Sequence, residues 1–497
     1  MFNRLILVMA KLYKYSIDLL IFITVIISII FFSNFNKGIE LSDESYLILI
    51  SMYPNDMIGR VNNSGIIGNF LLQLSDYNLY LFRIFGAIIL LLSSFFLINP
   101  ISNFFKNKLN IKDLEKKYIL LTLLLGSLNY YHNWVITPSY DLYNLVGILL
   151  FLSGILKMLE YPIKNWSFIS SVLLVVLGGL ISFVSKPTTA FFLIIIYFIW
   201  IGYFLNFNEL LVKSLCVIVL SVISFYLYIL FYFENIYLFL SDLKIGIELK
   251  ELLDPRYSLF DNFISIIKQI LFYYYSNFFL ISLFLIFIIL SKFFLKNNFR
   301  TVSLIFIFLP LFFTNNLLLS LLLIVIFYLI YCLNIKNISQ ISKSEINNLF
   351  SIFILIILLY SYLVGTNTNA VILLKKASIV IFLIFILILL NFEKNKKISF
   401  RNINLFFIIL IFFTLNNLYY NFEKPRRYNE KIYNQNRVIK LKNFNGDIYI
   451  DEITFNFISD FNQILQNNKW KDGNYMIDLT GREPGLNVIS GAKFVLE

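Results

Sequence analysis

Long apolar runs separated by short polar breaks fill most of this chain. A membrane-spanning helix needs about 20 mainly apolar residues. Runs of that kind lie near 15–33, 79–99, 118–132, 142–156, 167–184, 189–206, 214–233, 263–290, 301–313, 317–334, 347–364, 377–392 and 403–417. They number thirteen, or eleven if the short 301–313 segment and its neighbour form one re-entrant pair; the parity is the same. The first run follows Arg4, Lys11 and Lys14 and has no small-residue cleavage site, so it reads as an uncleaved span. The pattern predicts an all-α polytopic membrane protein of about 11–13 transmembrane helices.

The polar breaks are of two kinds. With residue 1 on the inner side, the inner segments carry 20 Lys and Arg and the outer loops between spans carry 8, so the positive-inside rule places the N-terminus in the cytoplasm. The inner breaks are short and basic. Three outer ones, 34–78, 234–262 and 418–497, are too long to be turns. The division is therefore a transmembrane domain 1–417, with a long first outer loop 34–78, and a C-terminal region 418–497 outside. That tail predicts a small α+β extracytoplasmic domain: a strand Asp447–Ile453, a helix Thr454–Leu465, a strand Tyr475–Leu479 and a turn over 480–485.

Composition sharpens this picture. With 59% hydrophobic and 14% charged residues, the chain cannot be a water-soluble enzyme, for which about 45–50% and 25% are usual. The formal charge of +12 does not point to nucleic acid, because the cations sit mostly at the ends of apolar runs. Cys216 and Cys332 both lie inside apolar runs and offer neither metal spacing nor a disulfide.

Candidate chemistry is concentrated on the outer side. The first outer loop reads Glu40-Leu-Ser-Asp43-Glu44-Ser-Tyr46, where Ser42 is a good N-cap for a helix lying along the membrane surface. Asp43 and Glu44 then fall in a first turn, which favours ionised carboxylates; acids there are equally plain helix starters. Arg83 lies early in the second span and needs a partner, an aqueous cavity or a route to the interface. Lys186 sits at the hinge between spans five and six, as a ligand group or an interfacial anchor. The second outer loop has no Lys or Arg and holds His132, the only histidine, and Asp141 at the start of the fourth span. One histidine cannot make a zinc site. Lys244, Lys250, Arg256, Lys375 and Lys376 are further outer cations, able to face a phosphate or solvent. Arg482, in the tail's turn, reaches over the membrane or stabilises its own domain.

Together these features resemble the GT-C glycosyltransferases, particularly the protein O-mannosyltransferase and aminoarabinose (lipid A) transferase branch. The shared pattern is an N-terminal span, an outer loop opening with Asp43-Glu44-x-Tyr46, Arg83 early in span two, Asp141 opening span four, and an external C-terminal region. The resemblance is best over the first 190 residues. It implies a sugar donor linked to a polyprenyl phosphate, with Asp43 as the catalytic carboxylate, Glu44 and Asp141 as orienting groups, and Arg83, Lys186 and Arg256 on the donor phosphate by position. Some branches hold a divalent metal; nothing in these residues demands one. The chemistry fits the residue types. A phosphate leaving group needs little general-acid help, cations stabilise its charge, and one carboxylate takes the acceptor's proton, inverting the anomeric centre. The partners would be the lipid-linked sugar, membrane lipid and an acceptor glycolipid, protein or polysaccharide, with no nucleic acid. The setting would be a bacterial inner (plasma) membrane, with the site facing the periplasm or exterior. The alternatives are a lipid-linked oligosaccharide flippase or transporter, and a surface polysaccharide polymerase or ligase. A transporter should carry ionisable groups near mid-membrane in several spans, whereas here they lie near the interfaces.

Overall fold

A computed structural model describes residues 16–55, 62–111, 116–253, 259–279, 281–283, 286, 317–335, 342–365, 369–394, 400–477 and 484–494. Among them, seven helices are long and apolar enough to cross a membrane. They are α4 (Leu79–Asn107), α6 (Tyr140–Met158), α7 (Trp166–Ser185), α8 (Pro187–Phe204), α9 (Phe207–Phe233), α13 (Lys343–Leu363) and α16 (Phe400–Glu423). An eighth crossing is made by α14 (Ala370–Lys376) and α15 (Ser378–Lys394) if this pair, bent by 70°, forms one broken span. Shorter or less apolar helices complete the bundle: α1 (Ser16–Phe32), α5 (Lys116–Asn129), α10 (Ile236–Leu253), α11 (Leu259–Ser276) and α12 (Leu317–Ile335). The chain is a polytopic helical membrane protein. The run expected at 118–132 gives only the 14-residue α5, and the 301–313 segment lies outside the described residues.

Local sequence sets the helix ends. Ser139 and Asn165 cap α6 and α7 through their side chains, and Ser342 with Glu345 forms a capping box on α13. Pro187 opens α8, where its missing N–H costs nothing. Small residues let α6 and α7 approach closely: a Cβ on Gly178 would lie 2.5 Å from the Gly147 carbonyl oxygen and from the Phe151 nitrogen. Polar side chains join other helices inside the apolar core. Asn129 on α5 donates to Thr414 Oγ1 at 2.6 Å and accepts from Asn417 at 2.7 Å, both on α16.

The two ends of the bundle differ. At one end, short connections are tied together: Lys116 to Asn99, Lys117 to Asp18, Asn103 to Glu160, and Lys213 Nζ to the carbonyls of Met158 and Tyr161. At the other end lies the first long loop, which folds into two helices, α2 (Asp43–Met52) and α3 (Ser64–Leu74). The pair packs so tightly that a Cβ on Gly65 would overlap the Ile50 carbonyl. The expectation for α2 needs two corrections. It is mostly buried rather than spread on a surface, and Ser42 makes no side-chain cap. Glu40 takes that role, its carboxylate accepting the backbone N–H of Ser42 at 3.1 Å and of Glu44 at 2.7 Å.

The chain beyond α16 docks on this loop. Strands β1 (Arg437–Ile439) and β2 (Ile448–Ile450) pair antiparallel, and Tyr449 extends the ladder to the loop by bonding Asn36 and Gly38 through its backbone. Asn445 N–H donates to the Tyr77 carbonyl at 2.9 Å, and Gly485 N–H to that of Leu41 at 2.7 Å. The tail's first strand is shorter than Asp447–Ile453 because Asp451 caps the following helix, α17 (Glu452–Asn467). Two-residue strands β3 (Tyr475–Met476) and β4 (Lys493–Phe494) flank the short α18 (Gly485–Ser490).

Candidate active site

Where the first loop, the α6 N-terminus, the α14–α15 break and the segment after α16 converge, they enclose a cavity of about 950 Å³. Its charged lining is Glu40, Asp43 and Asp141 against Lys376, Arg426 and Arg427. Asp43 and Asp141, singled out in separate outer loops, thus face one space. Each sits in the first turn of its helix, α2 and α6, where the backbone dipole favours a negative charge.

Asp141 is buried and paired. Lys376, at the bend between α14 and α15, places its ammonium 2.6 Å from Asp141 Oδ2. Asp141 Oδ1 is buried with no hydrogen-bond partner among the described residues. Aromatic groups surround the pair: the Lys376 ammonium lies 5.9 Å from the centre of the Tyr130 ring.

Asp43 is held differently. Its side chain is 53% exposed, and two guanidinium groups from the segment after α16 grip it: Arg427 at 2.8 Å and Arg426 at 3.3 Å. Arg427 also donates to Ser42 Oγ at 2.6 Å and approaches Glu40 at 3.5 Å. Its backbone has φ +60°, a left-handed conformation unusual for arginine.

Glu44 and Arg83 do not line the cavity, which corrects the expectation that they orient acceptor and bind phosphate. They are fully buried and bonded to each other at 2.9 Å. Arg83 also donates to the carbonyls of Phe35 at 2.7 Å and Gly38 at 2.9 Å and to Thr137 Oγ1 at 3.2 Å. Glu44 also accepts from Thr137 and from the Tyr428 hydroxyl. Burial, and then the Glu44 charge, hold the Tyr428 hydroxyl well above the usual tyrosine range, so it remains a donor. This network welds the first loop, the second loop and the tail into the cavity's wall. Gly38 has φ +78°, and any Cβ there would run into the Tyr428 ring, so only glycine fits.

Lys186 is also committed elsewhere: it is buried and its ammonium donates to the Tyr362 carbonyl at 2.6 Å. Tyr362 in turn reaches the Asp141 carbonyl at 3.5 Å, so Lys186 supports the site from behind. His132 is buried in the loop after α5, outside the cavity lining. Lys244 makes an exposed pair with Glu248 at 3.8 Å. Arg256 and Arg482 lie outside the described residues, as does the Lys250 side chain. Arg426 and Arg427 escaped the sequence reading. Their signal is Lys424-Pro-Arg-Arg427, a basic run just beyond the last span.

Among the described residues no three His, Cys, Asp or Glu side chains gather into a group that could hold a metal ion, and both cavity aspartates are paired with cations. Comparison with protein-family models, with curated proteins and with solved structures gives no significant match.

Proposed function

We propose that this chain is a membrane glycosyltransferase that moves a sugar from a polyprenyl-phosphate carrier to an acceptor hydroxyl with inversion. The reading rests on one observation above the others. Two carboxylates far apart in sequence, Asp43 and Asp141, share a cavity with Lys376, Arg426 and Arg427 at the end of the bundle that holds the long loops. Acid and base residues beside a cluster of cations are what transfer from a phosphate leaving group needs. In this account Asp43 takes the proton of the acceptor hydroxyl as its oxygen attacks the anomeric carbon. The bond from that carbon to the phosphate oxygen breaks, and the phosphate leaves with the electron pair beside the cations. Asp141, fixed by Lys376, orients the acceptor. Glu44 and Arg83 hold the loop that carries Asp43. The tail from 418 onward is the external module that closes the cavity, and the membrane is a bacterial inner membrane with the site outward. A pore or flippase path is less well served, because the buried ion pairs lie in the loops and helix ends at one end of the bundle.

The test is cleavage of the donor. Purified protein in lipid vesicles, given a panel of radiolabelled polyprenyl-phosphate sugars with extracted envelope acceptors, is expected to split sugar from carrier. Movement of intact lipid-linked sugar across the vesicle, with no cleavage, would replace this reading with a transporter.

A further inference from the structure

The site end holds two kinds of ion pair. Glu44–Arg83 and Asp141–Lys376 are buried and fixed by surrounding groups. The grip of Arg426 and Arg427 on Asp43 is not: the three side chains are 38%, 45% and 53% exposed and line the cavity. Pairs this exposed hold weakly, because water competes for both partners. We infer that Arg426 and Arg427 are an exchangeable anion site: a phosphate ester entering the cavity takes their guanidinium forks from Asp43.

Three features favour phosphate as the ligand class. Two adjacent guanidinium groups offer planar forks that match its oxygens. Lys376 adds a third positive charge to the same cavity, and its one hydrogen bond among the described residues, to Asp141, uses one of three ammonium protons. The left-handed backbone at Arg427 and the anchoring of neighbouring Tyr428 on Glu44 fix the root of the arginine pair while their tips stay open to solvent. The exchange has a consequence for the proposed reaction, on whose reading this inference rests. Asp43 is neutralised by two cations while the cavity is empty and becomes a free carboxylate when the leaving phosphate is seated. Arg426 and Arg427 would then couple donor binding to the release of the base.

Binding needs no sugar, so it can be tested apart from transfer. Full-length protein in detergent is titrated with farnesyl phosphate, farnesol and inorganic phosphate. Farnesyl phosphate is expected to bind at least about tenfold more tightly than farnesol. The double variant Arg426→Gln/Arg427→Gln should weaken it about tenfold or more. Asp43→Asn should do the reverse and tighten it, by about threefold or more, because the competing carboxylate is gone. That opposite sign separates exchange from simple loss of folding. Inorganic phosphate binding equally well, with the same dependence on the arginines, would identify a soluble phosphate as the occupant. Weaker inorganic phosphate would identify a lipid one. Unchanged binding in the double variant, or weaker binding in Asp43→Asn, overturns the inference. Sugar transfer by the double variant with wild-type KM would also overturn it while leaving the glycosyltransferase reading intact. The expected binding pattern without any sugar transfer would do the opposite.

Discussion

Two adjacent acids, Asp43 and Glu44, have opposite environments, and this decides what each contributes. Glu44 faces inward to Arg83, Thr137 and Tyr428, whereas Asp43 faces the cavity and two solvent-exposed arginines. Removing one partner of a buried pair strands the other, at a cost of about 3–5 kcal/mol. An exposed pair is worth about 1 kcal/mol or less. Glu44→Gln or Arg83→Met should therefore lower the melting temperature in detergent far more than Asp43→Asn does; equal effects would contradict the division of roles. His132 gives a second prediction at this scale. Burial, and then the charges of Lys375 and Lys376, hold its imidazole well below the usual value of about 6.5. The folded protein keeps it neutral, while the unfolded chain takes up a proton below about pH 6.5. Stability is thus fully present above about pH 6.5 and falls progressively as the pH drops below it towards the lowered value in the folded protein. As the chain has one histidine, His132→Asn should flatten that part of the melting-temperature profile.

At the scale of elements, apolar length and breaker residues made the helices legible. The spans expected at 142–156, 167–184 and 189–206 are found as α6, α7 and α8 with ends shifted by one or two residues. What periodicity does not carry is which residues a helix end borrows from elsewhere. Glu40 displaces Ser42 as the cap of α2 because its carboxylate can reach two backbone N–H groups at once. Nor does it tell one glycine from the next. Gly178 is pressed on the backbone of α6, whereas nothing lies within 4 Å of a Cβ placed on Gly179. Gly178→Ala should destabilise the bundle, and Gly179→Ala should be neutral or add up to about 1 kcal/mol from helix propensity. Melting of the two purified variants checks this directly, and similar behaviour would contradict the close α6–α7 contact.

At the scale of the whole molecule, the sequence placed polar mass and candidate acids on one side, and the described residues gather that mass at one end of the bundle. Asp43 and Asp141 were legible because each carboxylate opens a helix beside an outer loop. The partners were not. Lys376, Arg426 and Arg427 come from 235 to 384 residues further along; the bend between α14 and α15 presents the lysine, and the folding of the tail onto residues 36–41 presents the arginines. Arg83 misled for a related reason: an arginine in apolar sequence must be satisfied, but the same requirement is met by a carboxylate and carbonyls as well as by a ligand. The most direct test is the initial rate of sugar loss from a polyprenyl-phosphate donor by purified wild type and Asp43→Asn, matched in amount and melting temperature. The expected result is a fall of about 10²–10⁴-fold in the variant, the usual contribution of a positioned general base. Equal rates for the two proteins would contradict the assignment of Asp43 as the catalytic carboxylate.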